Sequence, residues 1–216
     1  MKMFLSTLLV GGIVTGILGF IIRWSEFKTY FVNVEIGAIV SSFIWLVGVG
    51  LIFSVISQAG FFAYLFLHQF GLGVFRSLWN PVQILLIAFV LFDLVYFRFE
   101  AFAGKGESLV PYIGLAVFIL VAGLIVAYMK ARQTNRKTFV SALFFMVVVT
   151  ILEWLPVLQA NDENWLFLMI YPLIACNAYQ LLILPTYNRL SEEERKAKAP
   201  KQEPAAQPAN KKKKKK

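Results

Sequence analysis

The stretch YMKARQTNRKTFVSALFFMVVVTILEWLPVLQANDENW, Tyr128 to Trp165, decides the fold. It opens with four bases and no acid (Lys130, Arg132, Arg136, Lys137). It then runs uncharged from Phe139 to Leu152, holds one acid at Glu153, and closes on Asp162 and Glu163 without a base. An apolar run of about 20 residues crosses a hydrocarbon core of about 30 Å as a helix. Lys and Arg favour the cytoplasmic side of such a helix. This one segment therefore predicts a membrane span, Phe139 to Leu158, entering from the cytoplasm and leaving outside.

The same pattern recurs outward in both directions. Further runs are Met3–Ile22, Ile36 to Ile56, Pro81–Phe97, Leu109–Tyr128 and Trp165–Leu184. The first is too long for the apolar core of a signal peptide and lacks a small-residue cleavage site before Arg23, so it is read as a retained helix. Asn80-Pro81 forms a good helix start, an N-cap candidate followed by proline. Composition agrees: 59% of the 216 residues are hydrophobic, 15% are charged, and the mean hydropathy is +0.70. Soluble domains carry about 25% charged residues. The expected fold is an all-α polytopic membrane helix bundle of six transmembrane helices over residues 1–188, with both termini cytoplasmic.

One uncharged stretch fits no span. QAGFFAYLFLHQFGLGVF, Gln58–Phe75, comes after the second run with too few polar residues for a turn, and its glycines suggest breaks. It is expected to be an interfacial or re-entrant segment on the cytoplasmic side, because non-helical backbone at membrane depth needs protein or water to satisfy it. A seventh crossing there would spoil the charge alternation.

The net charge of +9 points to nucleic acid only until it is located. Eleven of the 21 basic residues and four of the 12 acidic ones lie from Arg189 onward, ending in Lys211–Lys216. Residues 189–216 are expected to form a disordered basic cytoplasmic tail that meets membrane lipid. No nucleic-acid partner is expected. Cys176 and His68 are the sole residues of their types, which excludes an intramolecular disulfide and a paired-histidine or multi-cysteine metal site. No phosphate loop, nucleophile elbow or kinase signature occurs, so neither a cofactor nor an enzyme is expected.

The remaining candidates are polar or small residues inside apolar runs. Gly12 and Gly16 place two flat spots on one helix face, for close packing within the bundle or against a second copy or partner helix. Ser41, Ser42, Gly48 and Gly50 make the second run the natural neighbour of the first. Asp93 and Glu153 each lie about 7 Å below the outer exit of their helices. Such acids snorkel or pair with a base such as Arg98, contact another span, or hold an ion or proton. Asn177 and Gln180, three apart, share a face suited to interhelical hydrogen bonds or a transport path. His68 suits a headgroup-level polar contact, or a pH-sensing or partner-contact role. Trp79, Trp154 and Trp165 near span ends read as interface anchors.

Several strings are more specific than hydrophobic filler: VGVGLIFSVISQAGFFAYLFLHQFGLGVF at Val47–Phe75, WNPVQILLIAFVLFDLVYFR at Trp79–Arg98, NDENW at Asn161–Trp165 and CNAYQLLIL at Cys176–Leu184. Through them the chain resembles the KinB-signalling pathway activation protein family, KbaA, of endospore-forming bacilli. That resemblance implies a cell-membrane activator of a sensor histidine kinase of the KinB type feeding the sporulation phosphorelay. It carries over no catalytic residue. The rival class is a small ion-coupled membrane transporter using Asp93, Glu153 and Asn177.

The charge asymmetry yields a direct test of topology. A reporter fused after Gln133 is expected to read cytoplasm and one after Asp162 the outside; both on one side would rule out the six-span arrangement.

Overall fold

The computed structural model describes residues 2–104, 108–160 and 162–198. Among them every regular element is helical: α1 Lys2–Ile22, α2 Trp24–Val32, α3 Ile36–Phe75, α4 Trp79–Phe102, α5 Val110–Gln133, α6 Phe139–Phe144, α7 Thr150–Ala160 and α8 Glu163–Lys198. Five continuous helical stretches are long and apolar enough to cross a membrane, Lys2–Ile22, Ile36–Phe102, Val110–Gln133, Arg136–Ala160 and Glu163–Lys196. The second of these holds both α3 and α4, joined by the tight 3-10 turn Arg76–Leu78.

α1 is turned inside out relative to a helix of a water-soluble protein. Its buried face is small and weakly polar: Thr7, Gly11, Gly12, Thr15, Gly16 and Gly19. Its exposed face is Leu5, Leu9, Ile13, Ile17 and Ile21, one large aliphatic residue at every fourth position. The small face lets α1 and α3 approach backbone to backbone. A methyl group at Gly50 would meet the carbonyl oxygen of Gly11, and one at Gly19 would meet Leu46. At Gly16 it would lie 2.8 Å from the Phe43 ring, and at Gly12 3.3 Å from Val47. The predicted pairing of the first two runs thus forms within one chain. Its tightest points are Gly11 and Gly50, while Gly48 has open space beside it.

α3 corrects the expected break in the helix within the segment read as interfacial or re-entrant. Residues 58–75 continue the helix without a break, giving 40 residues and a length of about 60 Å. The suspected helix breakers are contact points instead. Gly60 lies against the Glu153 carboxyl and Gly71 against the Trp79 indole, so the glycines admit neighbours from α7 and α4. Gln58 is buried and does not begin a loop. The chain then reverses at Arg76, which adopts φ 48°, and Trp79 stacks on Phe75 at 5.8 Å.

The segment that decided the sequence reading forms the centre of the bundle. Phe145–Val149 make one π turn between α6 and α7, and all five residues are buried. A helix buried on every side is a core helix. Trp154, Phe144, Phe145 and Phe61 are fully buried around it. Trp154 and Trp79 are therefore core residues and not interface anchors. Each indole N–H finds a partner inside the protein: Trp154 donates to the Leu166 carbonyl at 3.1 Å and Trp79 to His68 Nδ1 at 3.0 Å. Trp165 stays at the rim, where the Arg23 guanidinium lies 5.8 Å from its ring and 5.6 Å from that of Trp45.

The bundle ends at Leu184, and from Pro185 the chain forms a separate unit. Helix α8 runs to Lys198, so residues 189–198, expected to be disordered, are helical. Arg189 and Glu193 pair at i,i+4 across 3.8 Å, the local support such a charged helix needs. The expectation of disorder for 199–216, including the hexalysine end, falls outside the described residues.

The two helix-packing glycines should respond unequally to bulk. Gly16→Ile is expected to destabilise by about 1–3 kcal/mol through overpacking, Gly12→Ile by less, and Gly48→Ala to be neutral or stabilising because alanine favours helix by about 1 kcal/mol. Thermal unfolding of the detergent-solubilised protein gives the order.

Candidate functional site

The sequence scattered its polar residues over four apolar runs, and the fold gathers most of them into one buried seam. The π turn prepares it. One extra residue in the turn rotates the remainder of the helix by about 100° around the axis, and Thr150 and Glu153 then face α3 and α8. Three residues apart, they share a face. On α8, Asn177 and Gln180 have the same spacing; on α3, Ser54, Ser57 and Gln58 line the facing stripe.

Asn177 is the hub. Its amide Nδ2 donates to Glu153 Oε2 at 2.8 Å and to Thr150 Oγ1 at 2.9 Å. Its Oδ1 accepts from Ser57 Oγ at 2.7 Å, and Ser57 Oγ in turn accepts from Gln180 Nε2 at 2.6 Å. Ser54 donates to the Gly50 carbonyl at 2.9 Å and lies 3.6 Å from Cys176 Sγ. The Cys176 thiol reaches toward the Thr7 carbonyl at 3.9 Å, which brings α1 into the seam. Asn177 and Gln180 are wholly buried, and Glu153 is 8% exposed. The network is closed except at a few atoms. Among the described residues Glu153 Oε1, Gln180 Oε1, Gln58 Nε2 and Thr15 Oγ1 are buried without a hydrogen-bond partner.

This geometry settles where each candidate sits. Glu153, Asn177 and Gln180 come together. Glu153 does not snorkel: its carboxyl is enclosed by Asn177 and Gly60, because the π turn faces it inward. Asp93 stands apart and half-buried on α4. It lines a cleft of about 380 Å³ that it shares with Arg98 and Gln159. His68 is separate again, half-buried, with Nδ1 accepting from Trp79 and its ring 5.7 Å from that of Tyr64. Near it Tyr64 donates to the Ser141 carbonyl at 3.1 Å and Ser141 Oγ to Gln83 Oε1 at 3.1 Å. Gly12 and Gly16 belong to the α1–α3 contact.

Ser57, Thr150, Gln83 and Ser141 were not singled out from the sequence. The spacing of Ser54, Ser57 and Gln58 was visible there and marks one helix face. Ser141 and Gln83 were legible only as isolated polar residues near the starts of their runs, with Thr138 and Asn80 three positions before them. Lys130 read as a loop base, yet it is 7% exposed and donates to the Leu181 carbonyl at 2.6 Å.

A bundle of long apolar helices, with large aliphatic residues outward and a hydrogen-bonded seam inward, is built to hold helices together. Comparison with known proteins then places it. The family described as KbaA, KinB-signalling pathway activation in sporulation, matches residues 11–187, which include the whole seam except Thr7. The chain is 53% identical over 188 residues to the KinB-signaling pathway activation protein of Bacillus subtilis strain 168, covering 86% of this chain and 95% of that protein. The chain belongs to the KbaA family. No solved structure matches it.

The hub predicts a hierarchy of stability. Asn177→Leu, which removes three hydrogen bonds and strands Ser57 and Glu153, is expected to lower thermal stability more than Gln180→Leu, which removes one. Glu153→Gln keeps the acceptor for Asn177 and should stay near wild type, whereas Glu153→Leu should fall. Interhelical hydrogen bonds in such bundles are worth about 0.6 kcal/mol on average and up to about 1.7. A Ser57→Ala, Asn177→Leu double-mutant cycle should give a coupling in that range.

Proposed function

We propose that this chain is a multi-pass cell-membrane protein that activates a KinB-type sensor histidine kinase, and through it the sporulation phosphorelay, by helix–helix contact in the bilayer and without chemistry of its own. The observation that carries the proposal is the 53% identity with a KinB-signaling pathway activation protein over nearly the full length of both chains. The geometry supports it in two ways. The inward polar groups are largely engaged with one another, and the outward row Leu5, Leu9, Ile13, Ile17, Ile21 is free for lipid or another helix. In the topology we favour, α1, α3, α4, α5, the α6–α7 helix and α8 cross the membrane, and both termini face the cytoplasm. The α3–α4 turn then lies at the cytoplasmic interface as continuous helix. A homo-oligomer would use the same outward faces.

One observation favours a second reading, a small ion-coupled carrier: Glu153 Oε1 is buried without a partner, and an intramembrane acid is a functional hypothesis by default. The two readings separate in a deletion strain complemented with variants, scored for spore formation, kinase autophosphorylation and solute uptake. For an activator, Asp93→Asn and Glu153→Gln retain most signalling at normal protein level. Loss of signalling in both amide variants at wild-type abundance, with loss of uptake, would replace the activator by the carrier. Crosslinking within the membrane should recover the kinase on the outward helix faces.

A further inference from the structure

Among the described residues Lys130 is a buried ammonium with no protein anion to answer it. It lies near the C-terminal end of α5 and is 7% exposed, and the bond it makes among the described residues is to the neutral Leu181 carbonyl. A charge removed from water is costly unless it is paired. The sequence supplies no carboxylate nearby: Asp and Glu are absent from residues 58–92, 108–152 and 164–191, the stretches that build this end of the bundle.

What Lys130 does border is a cavity of about 360 Å³ lined from α3, α4, α5, the basic turn, α6 and α8. Its lining is apolar at Phe61, Leu65 and Leu72 and polar at Lys130, Lys137 and His68. Lys137 is exposed on the basic turn and lines the same cavity. His68 accepts at Nδ1, so its neutral ring carries its proton on Nε2 as a further donor. Two ammonium groups and an imidazole among apolar side chains in one cavity match a ligand with an anionic head and a hydrocarbon body.

We propose that this cavity binds an anionic phospholipid from the leaflet on the side of the basic turn. Lys130 and Lys137 hold the phosphate, and an acyl chain lies along Phe61, Leu65 and Leu72. A phosphate there supplies the missing counter-charge of Lys130, while the acyl chain distinguishes the ligand from free phosphate. The site would tie α3, α5 and α8 together at the end of the bundle remote from Arg23. This inference rests on the membrane reading and not on kinase activation.

The test uses the full chain in nanodiscs of equal dioleoyl phosphatidylglycerol and dioleoyl phosphatidylcholine, released into detergent, with retained lipid counted by native mass spectrometry. Wild type is expected to keep phosphatidylglycerol over phosphatidylcholine. Lys130→Met and Lys137→Gln should each cut that preference about fivefold, the factor for one basic residue near an anionic surface. Lys28→Gln, the same charge loss on the exposed α2, should leave it unchanged. Should Lys130→Met fail to insert, the exposed Lys137→Gln decides alone. Equal retention of the two lipids, or a preference unaltered in the inserted variants, overturns the proposal. So does displacement of phosphatidylglycerol by inorganic phosphate, which would make the ligand the free anion. Kinase output plays no part in the readout, so the activator reading and the lipid site can fail independently; failure of the chain to enter nanodiscs at all would instead remove the membrane reading.

Discussion

The carboxamide of Asn177, donating to Glu153 and Thr150 and accepting from Ser57, is the contact on which the arrangement of α3, α7 and α8 depends. Lipid tails are as apolar as leucine, so helices in a bilayer gain little from burying hydrophobic surface against each other. Packing and interhelical hydrogen bonds must set their neighbours. Amides, hydroxyls and a carboxyl need partners in definite directions, and a rotation of one helix by a single residue would leave several of them unpaired. The seam therefore fixes register in a way that the surrounding leucines and phenylalanines cannot.

Two backbone features make the seam achievable. The glycines and small hydroxyls of α1 bring it close enough to α3 for the Gly11 carbonyl to approach Gly50, so that Cys176 of α8 also comes within reach of Thr7. The π turn at Phe145–Val149 aims Thr150 and Glu153 across to the partners that need them. Close packing and a local change of helical pitch thus serve the same end, which is to bring short polar side chains within hydrogen-bonding distance in a largely apolar interior. At the opposite end the charge of Lys130 has no such partner among the described residues, and that difference marks it as a place where something outside the chain completes the structure.

A bundle whose polar groups face inward leaves its outer faces chemically plain. Leu5, Leu9, Ile13, Ile17 and Ile21 can meet lipid or a partner helix equally. On the function proposed above, selectivity for a kinase would come from shape along such a face, supported by a bundle held rigid from within.

The sequence by itself determined the class. Its uncharged runs, their lengths, the basic turn before Phe139 and the acidic turn after Leu158 are local properties, readable one segment at a time, and Gly12, Gly16, Asn177 and Gln180 declared faces through spacing on a single helix. The strings from Val47 to Leu184 carried the family. Which faces meet was beyond a one-dimensional pattern. Gln58–Phe75 read as broken because glycine is a weak helix former, yet in the fold Gly60 and Gly71 make room for Glu153 and Trp79. Glu153 read as free to snorkel because its facing was not legible, whereas beyond the π turn it faces α3 and α8, which enclose it. Only the tertiary structure decided these points, because the gap at Gly60 and the buried carboxyl of Glu153 acquire their meaning from each other's atoms, on helices far apart in the chain.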